Sequence, residues 1–406
     1  MEINYFKQLQ INYPEKEELF RWLNIKLDRN IYFFGPNFKT PQGYVPKKNI
    51  RWWLRKLYYF YIGKKCSYDH AVICDAYFNV GKLLKENGYK VELPPWINDK
   101  LSPEAMRTAQ RISITSTTDF NELISEDLKE KVYRLKDELI NFFLVNHTPF
   151  VLFANGEQPL YRICIDACKE IGVPTGVFLH GLPARYNFND NYRPDYLFVW
   201  GPKIKENFEN IGIPSKILVV GHPTLSQYRV VKKSSENILV LTQAINFTSC
   251  SQGYLMSDPG LTIQYIYAVE NVLKSLGYTH AILRPHPSES LKWYEQRMDR
   301  EFYSLDTKPL NETLSNVKFI VGSISTVVLN AVYSDIPYYV YIINPLTNKN
   351  TIPTVNPFSS GSAMPVSFTE EELIENIKNG HKATKEHFDG YMKDSFDISQ
   401  ITKLIK

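Results

Sequence analysis

Four hundred and six residues exceed what one ordinary hydrophobic core organises and fit two compact domains. With 44% hydrophobic and 14% aromatic residues, the chain can bury a sizeable core, which excludes disordered, collagenous and low-complexity classes. Lys and Arg number 47 against 43 Asp and Glu, and a net charge of +4 is far from the pattern of a dedicated nucleic-acid binder.

The chain begins MEINYFKQLQ, with no apolar leader, and nowhere holds the roughly 18 consecutive apolar residues of a membrane span. Residues 1–65 hold 13 Lys and Arg against 5 Asp and Glu, while the rest hold 34 against 38. The basic character is therefore local and points to an anionic surface near the N-terminal end. Within it, residues 47–65 carry seven basic and no acidic residues among Trp52, Trp53, Tyr58, Tyr59, Phe60 and Tyr61. Ile50, Trp53, Leu54, Leu57, Tyr58 and Tyr61 share one helical face. This pattern fits a basic amphipathic helix in peripheral contact with an anionic membrane, and equally a helix packed on the N-terminal sheet with a solvated basic rim.

Short β-branched and aromatic runs come next: Ile31–Phe34, Ala71–Cys74, Phe150–Ala154, Thr175–Leu179, Tyr196–Val199 and Ile217–Val220, then Ile238–Leu241, Ala281–Leu283, Phe319–Val321 and Tyr338–Ile343. They alternate with helical stretches such as Leu160–Ile171, which predicts βαβ units and buried parallel sheets. The polar segment Tyr228–Glu236 reads as a boundary between an N-terminal domain over residues 1–230 and a C-terminal domain over 237–380. The amphipathic pattern from Glu370 onwards leads into residues 381–406, expected to cross back to the first domain. The expected class is α/β, two doubly wound domains facing each other across a ligand cleft at the carboxyl ends of their strands.

Several chemistries are excluded by their missing motifs. The chain has no G-x-G-x-x-G opening a helix, no G-x-x-x-x-G-K-[ST], no H-E-x-x-H and no G-x-S-x-G. It also lacks Asp-x-Asp, the short carboxylate pair that holds a divalent ion, so no metal is expected. The five cysteines lack disulfide or zinc spacing, and Cys164 and Cys168 stand one helical turn apart, so a reducing cytoplasm is expected.

Four loops after strand-like runs carry the candidate chemistry. In Asn155-Gly156-Glu157 the carboxylate is placed either to take a proton from an attacking hydroxyl or to complement a helix N-terminus, with Arg162 as a possible pair. His180-Gly181-Leu182-Pro183 puts an imidazole at a strand's end, within reach of a ligand or packed as an ordinary core histidine. In Arg284-Pro285-His286-Pro287 two prolines stiffen a loop that presents two donors suited to phosphate. Gly322-Ser323-Ile324-Ser325-Thr326 precedes a helical stretch, where hydroxyls and free amides cap the helix or cradle an anion. Thr242 and Gln243, just beyond Leu241, are further candidate donors to a ligand.

The order N-G-E, H-G-x-P, V-x-G-H-P (Val219–Pro223), R-P-H-P and S-T resembles bacterial GT-B glycosyltransferases that use CMP-activated sugars, the sialyltransferase-like and Kdo transferase-like enzymes of capsule and lipopolysaccharide assembly. The resemblance spans residues 150–345. It implies a GT-B architecture of two Rossmann-like domains, with the nucleotide donor on the C-terminal one and the acceptor on the N-terminal one. It further implies that His286 and Pro287 with Ser325 and Thr326 hold the CMP phosphate and ribose, beside Arg284 and Ser323, and that Glu157 is the base. The acidic element departs from the family's usual triplet, since Gly156 precedes the only carboxylate. The reaction implied by this resemblance is an inverting, metal-independent transfer of a 2-keto sugar acid from CMP to an oligosaccharide or glycolipid, at the inner face of the membrane and without a cofactor. The chain resembles less closely the CDP-glycerol polymerases of wall teichoic acid, in which reading His180 is the base. A sugar-nucleotide epimerase of the same shape and a glycan-binding factor without turnover remain further alternatives.

Overall fold

The computed structural model describes residues 11–34, 54, 57, 67–113, 118–154, 156, 158–182, 194–210, 212–224, 229–231, 233–242, 259–286, 289, 291–343, 357–358 and 362–405. The chain divides into two compact units. The first comprises Met1–His180, Phe188–Pro223 and Ser395–Lys406, the second Gly181–Asn187 and Thr224–Asp394.

The first unit is built on six parallel strands: β1 (Val72–Cys74), β2 (Val91–Glu92), β3 (Val151–Phe153), β4 (Thr175–Phe178), β5 (Tyr196–Val199) and β6 (Lys216–Val219). Their order across the sheet is β2-β1-β3-β4-β5-β6. Strands β1 and β3 are buried along their whole length and β4 and β5 nearly so, which is why they read as continuous apolar runs without alternation. Helices α1 (Glu17–Phe34), α2 (Val80–Glu86), α3 (Pro103–Ile112), α4 (Phe120–Leu123), α5 (Glu126–Val145), α6 (Pro159–Glu170) and α7 (Pro202–Asn210) complete the layers. Helix α5 shows why they form. Ser125 caps it by accepting from the Leu128 amide, Glu126 and Asp127 complement its N-terminal dipole, and Leu128, Val132, Leu135, Leu139 and Phe143 bury one stripe. On α6, Pro159 occupies the first turn, where its missing N–H costs nothing.

One expected strand is a helix. Ile31–Phe34 continues α1, whose Leu19, Phe20, Trp22, Leu23 and Leu27 are buried at helical spacing. A four-residue apolar run does not distinguish strand from helix, and the longer upstream periodicity decides it.

The C-terminal tail joins the first unit through α13 (Ser399–Thr402) and the segment before it. The Asp397 amide donates to the Val220 carbonyl at 2.7 Å, and the Phe396 ring meets Phe178 edge-on. Gly221 makes this possible. Its φ is +82°, and a Cβ there would stand 2.3 Å from the Ser395 carbonyl oxygen.

The second unit holds β7 (Ile238–Leu241), α8 (Pro259–Ser275), β8 (Ala281–Arg284), α9 (Leu291–Glu295), β9 (Tyr303–Leu305), α10 (Leu310–Leu314), β10 (Phe319–Gly322), α11 (Val327–Tyr333), β11 (Tyr338–Tyr341), β12 (Val366–Ser367) and α12 (Glu370–Asn379). All six strands are parallel, in the order β12-β11-β10-β7-β8-β9. Each unit is therefore an α/β, Rossmann-like layer structure, the expected class.

Candidate active site

In the second sheet the chain runs outward from β7 to β8 and β9, then returns to β10 and runs the other way. The point of reversal lies between β7 and β10, the position at which open parallel sheets of this kind form their ligand crevice. Leu241 pairs with Arg284 on one side and Gly322 on the other. Thr242, Pro285 and Ser323 consequently leave the sheet at one level. Strand spacing puts the ends of β8 and β10 about 10 Å apart. The loops bearing His286 and Ser325–Thr326 thus share one edge of one sheet.

Around His286 the contacts close into a knot. Its backbone amide donates to Glu289 Oε2 at 2.8 Å and to Thr242 Oγ1 at 3.2 Å. Thr242 in turn donates its hydroxyl proton to Glu289, and the Glu289 amide donates back to the His286 carbonyl. The buried Tyr294 phenol lies in the same network, and desolvation beside the Glu289 carboxylate pushes its pKa far up. The His286 imidazole reaches solvent, yet enough water is excluded to lower its pKa, so the ring is neutral at pH 7.

Arg284 is committed elsewhere. Its guanidinium pairs with buried Asp306 and donates to the Lys308 carbonyl at 2.8 Å. Asp306 also accepts from Thr313 Oγ1 at 2.7 Å and from the Lys308 amide at 3.1 Å. The pair ties the end of β8 to the loop after β9.

Strand β10 ends in a glycine because Tyr338 of the adjacent strand lies against it. A Cβ at Gly322 would meet the Tyr338 hydroxyl at 2.2 Å, and that hydroxyl donates to the Ser323 carbonyl at 2.8 Å. Ser325 Oγ accepts from the Val327 amide at 3.3 Å, and Thr326 Oγ1 accepts from the Leu182 amide at 3.0 Å. The Thr326 contact joins the H-G-L-P segment to the S-T segment inside the second unit. Both hydroxyls act as acceptors here, whereas Thr242 gives its proton to Glu289.

In the first sheet the reversal falls between β1 and β3. The residue leaving β1 is Asp75. One of its oxygens accepts from the Ala154 amide at 2.9 Å, the other from the Tyr161 hydroxyl at 2.6 Å. Burial raises the pKa of this carboxyl, against the lowering effect of both hydrogen bonds. Beyond it, Phe78 and Asn79 both take left-handed backbone, with φ of +60° and +58°. The Tyr77 ring lies 5.4 Å from His180, while Phe78 is seated 4.3 Å from His222 and 5.9 Å from Trp200. His180 is exposed and His222 buried, and burial pushes the His222 pKa down to about 4. Arg162 is buried on α6, where it donates to the Arg21 carbonyl of α1 at 2.8 Å.

Glu157, Gln243 and Pro287 lie outside the described residues, as do residues 47–65 apart from the exposed Leu54 and Leu57. Among the described residues, no cluster of three or more His, Cys, Asp or Glu side chains could hold a metal. No described helix is long and apolar enough to cross a membrane. Sequence reasoning passed over Asp75, Tyr77, Glu289 and Tyr294. The rule that singled out Glu157, a carboxylate just beyond a strand, applies equally to Asp75.

No protein-family model and no curated protein matches this sequence. Solved structures align at low similarity. UDP-GlcNAc 2-epimerase from Neisseria meningitidis, bound to UDP-GlcNAc, is 14% identical over 80% of this chain and 93% of its own, with a TM-score of 0.45. MurG from Acinetobacter baumannii is 9% identical over 80% and 87%, with a TM-score of 0.41. The wall teichoic acid polymerase TagF is 13% identical over 66% and 84%, with a TM-score of 0.37.

Proposed function

We propose that this protein is a sugar-nucleotide-dependent glycosyltransferase that moves a 2-keto sugar acid from its CMP conjugate to a glycan hydroxyl, with inversion and without a metal. The observation that carries the reading is the carboxyl edge of the second sheet. Its reversal point is where nucleotides bind in this type of sheet, and the loops at this edge carry the His286 imidazole and two accepting hydroxyls. In this reading His286, Ser325 and Thr326 donate to the departing CMP phosphate, and that stabilisation is a large part of the rate. A carboxylate of the first unit takes the proton of the acceptor hydroxyl. Inversion results from a single displacement with one base and no enzyme nucleophile.

The competing reading is transfer from CDP-glycerol with His180 as base, and it is favoured by the exposed position of that ring at the carboxyl edge of the first sheet. A thermal-shift panel of CMP, CDP, UDP and GDP separates the two, because a ligand raises the Tm in proportion to its affinity for the folded state. CMP should give the largest shift, and CMP should be released from CMP-N-acetylneuraminic acid in the presence of EDTA. A larger shift with CDP, together with turnover of CDP-glycerol, would overturn the CMP reading. Largest shifts with UDP, and UDP release from UDP-GlcNAc, would move the protein to a different donor class.

A further inference from the structure

Resting on that reading, we infer that Asp75 is the catalytic base, the carboxylate that takes the acceptor's proton, and that the Tyr77–Asn79 loop beside it seats the acceptor sugar.

The placement comes from topology. Loops after β1 and β3 leave on opposite sides of the reversal point, and Asp75 reaches across it to the Ala154 amide. Among the described residues within two positions beyond a strand of this sheet, Asp75 is the only carboxylate. The residue is half-buried. Hydrogen bonds from Ala154 N and the Tyr161 hydroxyl fix its plane, its own backbone amide is a third donor, and of the carboxylate's four lone-pair positions one is left for an incoming hydroxyl. Tyr161 is itself held by ring contacts with Phe153 and Trp96.

The environment suits the task. A carboxylate partly removed from water is a stronger base than one in solvent, and burial is the largest influence on Asp75. The titratable groups facing it are Tyr161, Cys74 and Cys164. All three are pushed up by burial, Cys74 to about 12, so they stay neutral at pH 7 beside the Asp75 carboxyl.

The neighbouring loop supplies a sugar-sized surface. Tyr77 is 50% exposed and rests against His180, offering an aromatic face of the kind that packs on the C–H face of a pyranose. Two consecutive left-handed residues, Phe78 and Asn79, cost local conformational energy, and Phe78 is wedged against His222 and Trp200 to sustain them. In the step itself, the acceptor O–H proton passes to an Asp75 oxygen as the acceptor oxygen bonds to the anomeric carbon. The bond from that carbon to the phosphate oxygen breaks, and its electron pair leaves with CMP.

The test compares Asp75→Asn, Tyr161→Phe and Glu157→Gln in the full-length protein. CMP release from CMP-N-acetylneuraminic acid is followed with lactose as acceptor and with water alone, alongside the CMP thermal shift. Asp75→Asn should lower kcat by about 10³-fold while keeping the CMP-induced Tm shift, and should abolish the acid limb of the kcat–pH profile. Tyr161→Phe should lower kcat about tenfold and move the acid limb, and Glu157→Gln should retain more than a tenth of wild-type turnover. Wild-type-like kcat in Asp75→Asn overturns the assignment. So does loss of turnover in Glu157→Gln with Asp75→Asn active. A wild type that releases no nucleotide from CMP-N-acetylneuraminic acid, CDP-glycerol or UDP-GlcNAc overturns the transferase reading as well, and so marks that failure apart.

Discussion

Arg284 is the sharpest point of disagreement between two physical accounts of the same residue. As a ligand donor, its loss would weaken nucleotide binding and leave the fold alone. The structure instead has it neutralising Asp306, whose side chain is only 3% exposed, while its own is 19% exposed. Arg284→Ala leaves a buried carboxylate without its counter-charge, which typically costs about 3–5 kcal/mol. The Asp306 bonds to Thr313 and the Lys308 amide survive, which argues for the lower end, about 3 kcal/mol. At about 2–4 °C per kcal/mol for a unit of this size, the transition should drop by roughly 6–12 °C. Urea unfolding followed by tryptophan fluorescence reads the loss directly. Adding Asp306→Asn to Arg284→Ala removes the stranded charge and should recover a substantial part of it. An Arg284→Ala protein within 0.5 kcal/mol of wild type, with CMP affinity reduced about tenfold or more, would refute this reasoning and restore the ligand role.

His286→Ala should lower turnover about 10²-fold, as for loss of one charge-stabilising donor, and unchanged CMP release would remove the imidazole from the mechanism. His222 makes folding acid-sensitive. Burial holds its folded pKa near 4, below its unfolded value, so its contribution is complete above about pH 6.5 and is lost as pH falls towards 4. The loss between pH 7 and pH 5 should be about 2 kcal/mol and should be absent in His222→Phe, as measured by urea midpoints at the two pH values. Gly322→Ala puts a methyl group where the Tyr338 hydroxyl stands, and overpacking plus loss of the bond to Ser323 should cost about 2–4 kcal/mol in urea. Adding Tyr338→Phe should recover only part of this cost, since the ring carbon bearing the hydroxyl is also too close, at 2.7 Å.

Most of the sheet scaffold was legible because parallel strands buried on both faces leave uninterrupted apolar runs. Nine of the ten runs singled out in the sequence contain or overlap observed strands, and only Ile31–Phe34 folds otherwise. The strands that left no trace, Val91–Glu92, Tyr303–Leu305 and Val366–Ser367, all lie at sheet edges and are two or three residues long, too short for a pattern. The donor-side loops were legible because proline and hydroxyl residues mark them. The engagements of Arg284 with Asp306, Thr242 with Glu289 and Thr326 with Leu182 were not, because each joins residues 22 to 144 positions apart in the chain. Asp75 went unremarked for a different reason. Nothing in C-D-A-Y-F-N resembles a motif, and its importance rests on strand order, which places β1 beside β3 rather than at the edge.

Charge accounting along the second sheet then bears on the class of nucleotide. Arg284 is neutralised by Asp306, the His286 ring is uncharged, and the Glu289 carboxylate stands within hydrogen-bond reach of the His286 amide. Among the described residues of these loops, the Ser325 and Thr326 hydroxyls accept backbone amides and carry no charge. Neutral donors next to a carboxylate hold a singly charged phosphodiester far better than a pyrophosphate with two charges, which ordinarily recruits an arginine, a lysine or a divalent ion. As the bond to the sugar breaks, a CMP conjugate gains one further negative charge at its single phosphate. In the proposed transfer, an imidazole that is neutral before reaction would strengthen its hydrogen bond to the phosphate as that charge develops. A loop set already carrying fixed positive charge would bind ground state and transition state alike, which lowers KM without raising kcat.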